Sequence, residues 1–148
     1  MNKIISAGLL LLLILTACQK SSTQSGDTLG SWKLIQVYDK NTGSHVLPPA
    51  SSNMDVVLTF LNRNRFAGHT LRNSITDGTY EQNGNGIIFR AFSMTKIAED
   101  QWGGSFLTVL SACALQSTVS CSPSVLTVQG NFMTIRTPLR YDITLQKI

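Results

Sequence analysis

Apolar and polar residues alternate along most of the chain, and a period of two predicts strands with one buried face. The first run is Ser31-Trp32-Lys33-Leu34-Ile35-Gln36-Val37, with Trp32, Leu34 and Gln36 on one side. It ends in the turn cluster Asp39-Lys40-Asn41-Thr42-Gly43. His45 to Met54 holds Pro48-Pro49 and Ser51-Ser52-Asn53 and reads as a long loop. Val56 to Phe60 is a second strand, and Asn62 to Arg65 turns the chain into Phe66-Ala67-Gly68-His69-Thr70. Thr79 to Gln82 and Ile87 to Phe92 flank Asn83-Gly84-Asn85-Gly86, a strong hairpin signal because Asn and Gly tolerate the positive φ of tight turns. Leu126–Gln129 and Phe132–Arg136 pair across Gly130-Asn131, and Tyr141 to Leu145 closes the series. Pro138 falls between strands, where it removes no ladder bond.

One segment breaks the period. From Glu99 to about Cys113, residues Trp102, Phe106, Val109, Leu110 and Cys113 recur at spacings of three and four, which predicts a helix. Glu99 and Asp100 favour its N-terminus through the helix dipole. Gly103-Gly104 costs about 1 kcal/mol per Gly relative to Ala, which predicts a frayed or late start.

Seven to eight short strands with mostly adjacent pairings and one helix make a mainly-β protein. A sheet of that size curls or closes to bury one face and remove its edges. The expected fold is a small antiparallel, lipocalin-like barrel or strongly curled sheet. The helix plugs an end or covers a face, and Trp32, Phe60, Phe89, Trp102 and Phe106 are core.

The N-terminus has a different pattern. Lys3 precedes an apolar stretch from Ile4 to Leu15, the layout of a signal peptide. The stretch is shorter than the roughly 20 residues a bilayer span needs. It ends in Leu15-Thr16-Ala17-Cys18, which resembles the lipobox of bacterial lipoproteins. The expectation is a signal peptide over residues 1–17, lipid on Cys18, a polar tether over 18–28 and one domain over 29–148. Two or three acyl chains on Cys18 give stable membrane anchoring. Gln19 is not the Asp that holds enteric lipoproteins at the inner membrane. The expected location is therefore the outer membrane, facing the periplasm.

Cys113 and Cys121 remain after Cys18, an even pair in an exported chain. A bridge would contribute roughly 2–3 kcal/mol through loop closure; the alternative is two buried free thiols. The charge of +4 and pI near 9.2 are mild. No basic stripe with interleaved aromatics is present, so no nucleic-acid partner is expected.

The chemistry-bearing residues are sparse. His45 and His69 have no acid at metal-ligand spacing, and there is no nucleophile elbow or phosphate loop. Neither a catalytic constellation nor a metal or other cofactor is expected. Gly68 would permit a bulge or close approach. Asn73 could bond loop backbone, and Gly78 after Asp77 suits a turn with positive φ.

Phe66-Ala67-Gly68-His69-Thr70-Leu71-Arg72-Asn73, followed by Gly78-Thr79-Tyr80, resembles the signature of META domains. Gly30-Ser31-Trp32-Lys33-Leu34 resembles that family's first strand, and Met94-Thr95-Lys96 its Thr-rich turn into the helix. Phe106, Leu107 and Leu110 resemble the helix core motif, and the hairpin from Leu126 to Arg136 completes the pattern. The likeness implies Gly68, Thr70, Asn73, Gly78 and Tyr80 as a structural motif, a lipocalin-like topology and no set chemistry. The family's Cys positions are Leu71-Arg72 and Ile97-Ala98 here. A lipocalin-like lipoprotein is the second resemblance. The functional expectation is a monomeric, non-enzymatic envelope protein that acts by binding or in envelope integrity. The alternatives are a carrier of a small apolar ligand and an inhibitor or partner module for another envelope protein.

Overall fold

The computed structural model describes residues 28–50, 53–113 and 121–148. The expected signal peptide, Cys18 and most of the tether lie outside the described residues.

Among the described residues, ten strands and one helix follow in order: β1 Gly30–Asp39, β2 Ser44–Val46, β3 Val57–Leu61, β4 Arg65–His69, β5 Ser74–Asn83, β6 Gly86–Phe89, β7 Ser93–Met94, α1 Gln101–Ser111, β8 Ser124–Gln129, β9 Phe132–Arg136 and β10 Tyr141–Lys147. Eight of them (β1, β3, β4, β5, β6, β8, β9 and β10) form an antiparallel up-and-down barrel, closed by β10 pairing with β1. The short β2 extends the β1 edge, and β7 pairs with β5. The expected small antiparallel barrel with one helix is what the chain forms. Up-and-down order follows from the turn chemistry, since Gly43, Gly84 and Gly130 take positive φ in the turns between paired strands.

Two departures from strict alternation have local causes. In β1, Leu34 faces Leu145 and Gln36 faces Thr144, so Ile35 is an extra residue. That bulge flips the phase: Trp32, Leu34 and Val37 are buried, whereas Gln36 is exposed and not inward as its spacing predicts. In β5, three residue steps from Ile75 to Gly78 oppose two from Phe66 to Gly68 in β4. The extra β5 residue accompanies Asp77 at φ 56. Strand β5 therefore starts at Ser74, earlier than its alternation suggests. The stretch read as a loop from His45 likewise contributes β2 before it leaves the sheet.

The helix starts crisply, contrary to the expected fraying. Asp100 is the N-cap, and its carboxylate accepts from Gly103 N at 2.8 Å. A side chain at Gly103 would overlap the Glu99 carboxylate, so glycine here lets the first turn sit against Glu99. The helix packs on β10 and β1.

One contiguous apolar cluster draws from all eight barrel strands and the helix. It includes Trp32, Leu58, Phe66, Ile75, Phe89, Leu126, Met133, Ile143 and Phe106. Phe60 meets Tyr80 edge-on at 5.2 Å, and Phe66 meets Phe89 edge-on at 5.2 Å. Such pairs add about 0.5–1.5 kcal/mol beyond burial. All five aromatic residues expected in the core are buried there.

Candidate functional site

An up-and-down barrel has two rims with different connections. One carries the tight turns β3–β4, β5–β6 and β8–β9 together with the start of β1 and the end of β10. The other carries the segment 47–56, the loop 70–73, the long β6-to-β8 excursion with α1, and the turn 137–140. Of the residues singled out in the Gly68-to-Tyr80 motif, Gly68, Thr70 and Asn73 gather at this second rim and explain its shape, whereas Gly78 and Tyr80 lie toward the first, where Tyr80 N donates to Asn64 O at 2.9 Å.

Asn73 is its centre. Its Nδ2 donates to Ile97 O at 2.7 Å, and its Oδ1 accepts from Ile97 N at 2.8 Å and from Thr95 Oγ1 at 3.0 Å. The side chain thus replaces a strand for an irregular segment that has no ladder. Thr70 Oγ1 accepts from Asn73 N at 2.8 Å and Arg72 N at 3.2 Å, which tightens the β4–β5 loop. Both Thr70 Oγ1 and Asn73 Nδ2 donate to Glu99 Oε1. Glu99 Oε2 is buried with no hydrogen-bond partner. Thr70 and Asn73 are almost fully buried, at 1 % and 2 % exposure.

The flanking motif residues are packing devices. A Cβ at Gly68 would overlap the Val57 carbonyl oxygen, so β3 and β4 approach closely there. A Cβ at Gly78 would lie 2.5 Å from the Phe66 ring. Gly78 lies within β5, and the positive φ belongs to its neighbour Asp77. Gly78 is therefore not the turn residue its sequence context predicts; the ring of Phe66 lies over it. Tyr80 is buried, and burial raises its phenol pKa.

Cys113 and Cys121 form a disulfide with Cα atoms 5.8 Å apart. It ties the end of α1 to the approach to β8. The alternative of two free thiols is thereby set aside. The His45 ring lies tilted against Tyr38 with centroids 5.4 Å apart, while His69 Nδ1 lies 3.4 Å from Thr70 O. Among the described residues no group of three His, Cys, Asp or Glu could hold a metal ion.

Beside the Asn73 network lies an open groove of about 350 Å³, lined by Leu34, Ile35, Pro48, Pro49, Leu71 and Trp102. The Lys33–Asp55 ion pair, at 2.8 Å, borders it. Sequence reasoning missed two features of this rim. Glu99 was read only through the helix dipole, yet its main role is to accept from Thr70 and Asn73. Asp39 is 2 % exposed and paired with Arg140 at 2.5 Å. The Arg140 guanidinium holds the Asp39 carboxyl down to a pKa of about 2. No spacing rule joins residues so far apart in the chain.

No protein-family model matches the chain, and comparison with curated proteins gives no match. Two solved structures are similar in fold. One is an NMR structure of a protein from Burkholderia xenovorans, with a TM-score of 0.57 and 16% identity over 80% of this chain and 81% of that one. The other is a crystal structure of a DUF4847 family protein from Bacteroides vulgatus, with a TM-score of 0.54 and 13% identity over 79% of this chain and 91% of that one. At these identities the likeness shows the fold: this chain shares the barrel architecture of both.

Proposed function

We propose that this chain is a lipid-anchored, non-enzymatic protein of the bacterial envelope that acts by binding another envelope component. The lipobox-like Leu15-Thr16-Ala17-Cys18 supports the anchor, and Gln19 supports the outer membrane. The META-domain resemblance fits the same reading through Gly68, Thr70, Asn73 and Gly78.

The observation that carries binding from the outside is the core. Side chains from all eight barrel strands and the helix meet in one cluster, so the barrel axis is occupied by the protein itself. A lipocalin-style carrier needs that space for its ligand. Recognition then falls to the groove between Pro48-Pro49 and Trp102, at the rim fixed by Asn73.

Native mass spectrometry of the full chain extracted from membranes tests this. The expected mass includes acyl groups on Cys18 and no further small molecule. An unmodified Cys18 would overturn the anchor, and a stoichiometric apolar ligand would replace this reading with the carrier.

A further inference from the structure

The first rim, with the tight turns, has its own chemistry. Its strand ends on the adjacent strands β3, β1, β10 and β9 expose Leu61, Leu29, Ile148 and Phe132 at 42 %, 40 %, 67 % and 48 %. Main-chain bonds hold these ends together: Ile148 N donates to Ser31 O at 3.0 Å and Lys147 N to Asn131 O at 2.8 Å. The second rim also exposes large apolar side chains, Leu47 at 78 % and Ile97 at 56 % among them, so apolar exposure marks both rims as interaction surfaces and does not by itself choose between them.

Cations stand at both rims, with Lys40, Arg72, Lys96 and Arg140 at the second, whereas the carboxylates are unevenly placed. Arg63 stands in the β3–β4 turn, and Lys147 lies near the end of β10 with its Nζ 5.3 Å from the Trp32 ring centre. The side-chain carboxylates among the described residues either belong to the opposite rim or, on the near half of β5, are held in ion pairs. Asp39, Asp55, Glu99, Asp100 and Asp142 belong to the opposite rim. Asp77 and Glu81 on β5 are paired with Arg65 and Arg90 at 2.9 Å each.

The chain leading to Cys18 also leaves from this rim. Thr28 O accepts from the Trp32 indole at 2.9 Å, which fixes the exit point. Thr28 is the tenth residue after Cys18. A chain of that length reaches at most about 35 Å.

Resting on the lipid-anchor reading, the geometry points to this rim as the membrane-facing surface of the domain. Leu29, Leu61, Phe132 and Ile148 enter the boundary between headgroups and acyl chains, and Arg63 and Lys147 meet anionic headgroups. The apolar area leaves water while the cations gain partners, so two weak contributions add to the anchor. The opposite rim, with its groove and Asn73 network, then faces away from the bilayer and is open to a partner.

The test uses the full chain in phosphatidylethanolamine and phosphatidylglycerol vesicles. A polarity-sensitive fluorophore is placed at Phe132→Cys on the first rim or Leu47→Cys on the second, and spin-labelled lipid serves as quencher. The probe at 132 is expected to shift to the blue and to be quenched at least about threefold more than the probe at 47. Equal or reversed quenching with Cys18 acylated overturns the proposal while leaving the anchor intact. If mass spectrometry shows Cys18 unmodified, the anchor reading falls and co-sedimentation of the same chain with these vesicles decides. Binding weakened by Phe132→Ser and Arg63→Glu then supports the rim, and no binding overturns it.

Discussion

Asn73 engages both main-chain polar groups of Ile97, donating to the Ile97 carbonyl at 2.7 Å and accepting from the Ile97 amide at 2.8 Å. One buried side chain thereby docks the segment leading into the helix onto the loop between β4 and β5. Replacing Asn73 with Ala removes three hydrogen bonds to Ile97 and Thr95 and leaves the part-buried N–H and C=O of Ile97 without this partner. The expected loss is about 3 kcal/mol of unfolding free energy in urea titration. Asn73→Asp keeps the size but sets a second carboxylate against Glu99, so it should be no better than Ala.

Glu99 gives a contrasting result. Its Oε1 is bonded to Thr70 and Asn73, while its Oε2 is buried without a partner. Glu99→Gln retains the acceptor and removes the charge. It should fall within about 1 kcal/mol of wild type, whereas Glu99→Ala should lose about 2 kcal/mol. A Gln variant as unstable as the Ala variant would show that the charge itself is needed.

Gly78 and Phe66 should couple. Gly78→Ala pushes a methyl group into the Phe66 ring and is expected to cost about 2–3 kcal/mol. The smaller side chain of Phe66→Leu in the same protein should recover part of that loss, read as a double-mutant coupling of at least about 0.5 kcal/mol. Gly68→Ala meets the backbone carbonyl of Val57, for which no side-chain change compensates, so Phe66→Leu should not rescue it.

Acid unfolding should report on Asp39. Its folded pKa lies near 2, below the ordinary 3.8, because Arg140 stabilises the charged form. The contribution is therefore fully present above about pH 4 and is lost as the pH falls through about 2. Asp39→Asn should flatten the loss of stability below about pH 4, measured by circular dichroism across a pH series. An unchanged acid limb would mean that other carboxylates set it.

Reduction of the Cys113–Cys121 bridge should lower stability by about 2–3 kcal/mol through loop closure. Cys121→Ser should lower the unfolding free energy from urea titration by the same amount and abolish the response to dithiothreitol.

Much of the barrel was legible in the chain because its information is local. Alternation located most of the barrel strands, Asn-Gly pairs marked the β5–β6 turn, and Gly130-Asn131 marked the β8–β9 turn. The three-and-four spacing from Trp102 to Leu110 gave the helix. Where alternation failed, a single extra residue was responsible. Ile35 in β1 reversed the side of Gln36, and the extra residue in β5 hid the strand that starts at Ser74. A bulge has no composition of its own, so the pattern cannot announce it.

The site divides in the same way. Asn73 and Gly68 could be assigned structural tasks from residue type, because an Asn side chain mimics a peptide and glycine lets backbones meet. Their partners are Ile97, Glu99 and the Val57 carbonyl, brought together only when the sheet closes. The same closure sets Asp39 against Arg140. It also places Leu29, Leu61, Phe132 and Ile148 on one arc of a rim. Sequence by itself determined the elements, since periodicity and turn chemistry act over a few residues. The tertiary structure alone decided which distant residues meet and at which rim Thr28 and the start of β1 lie, because those depend on the register with which β10 returns to β1.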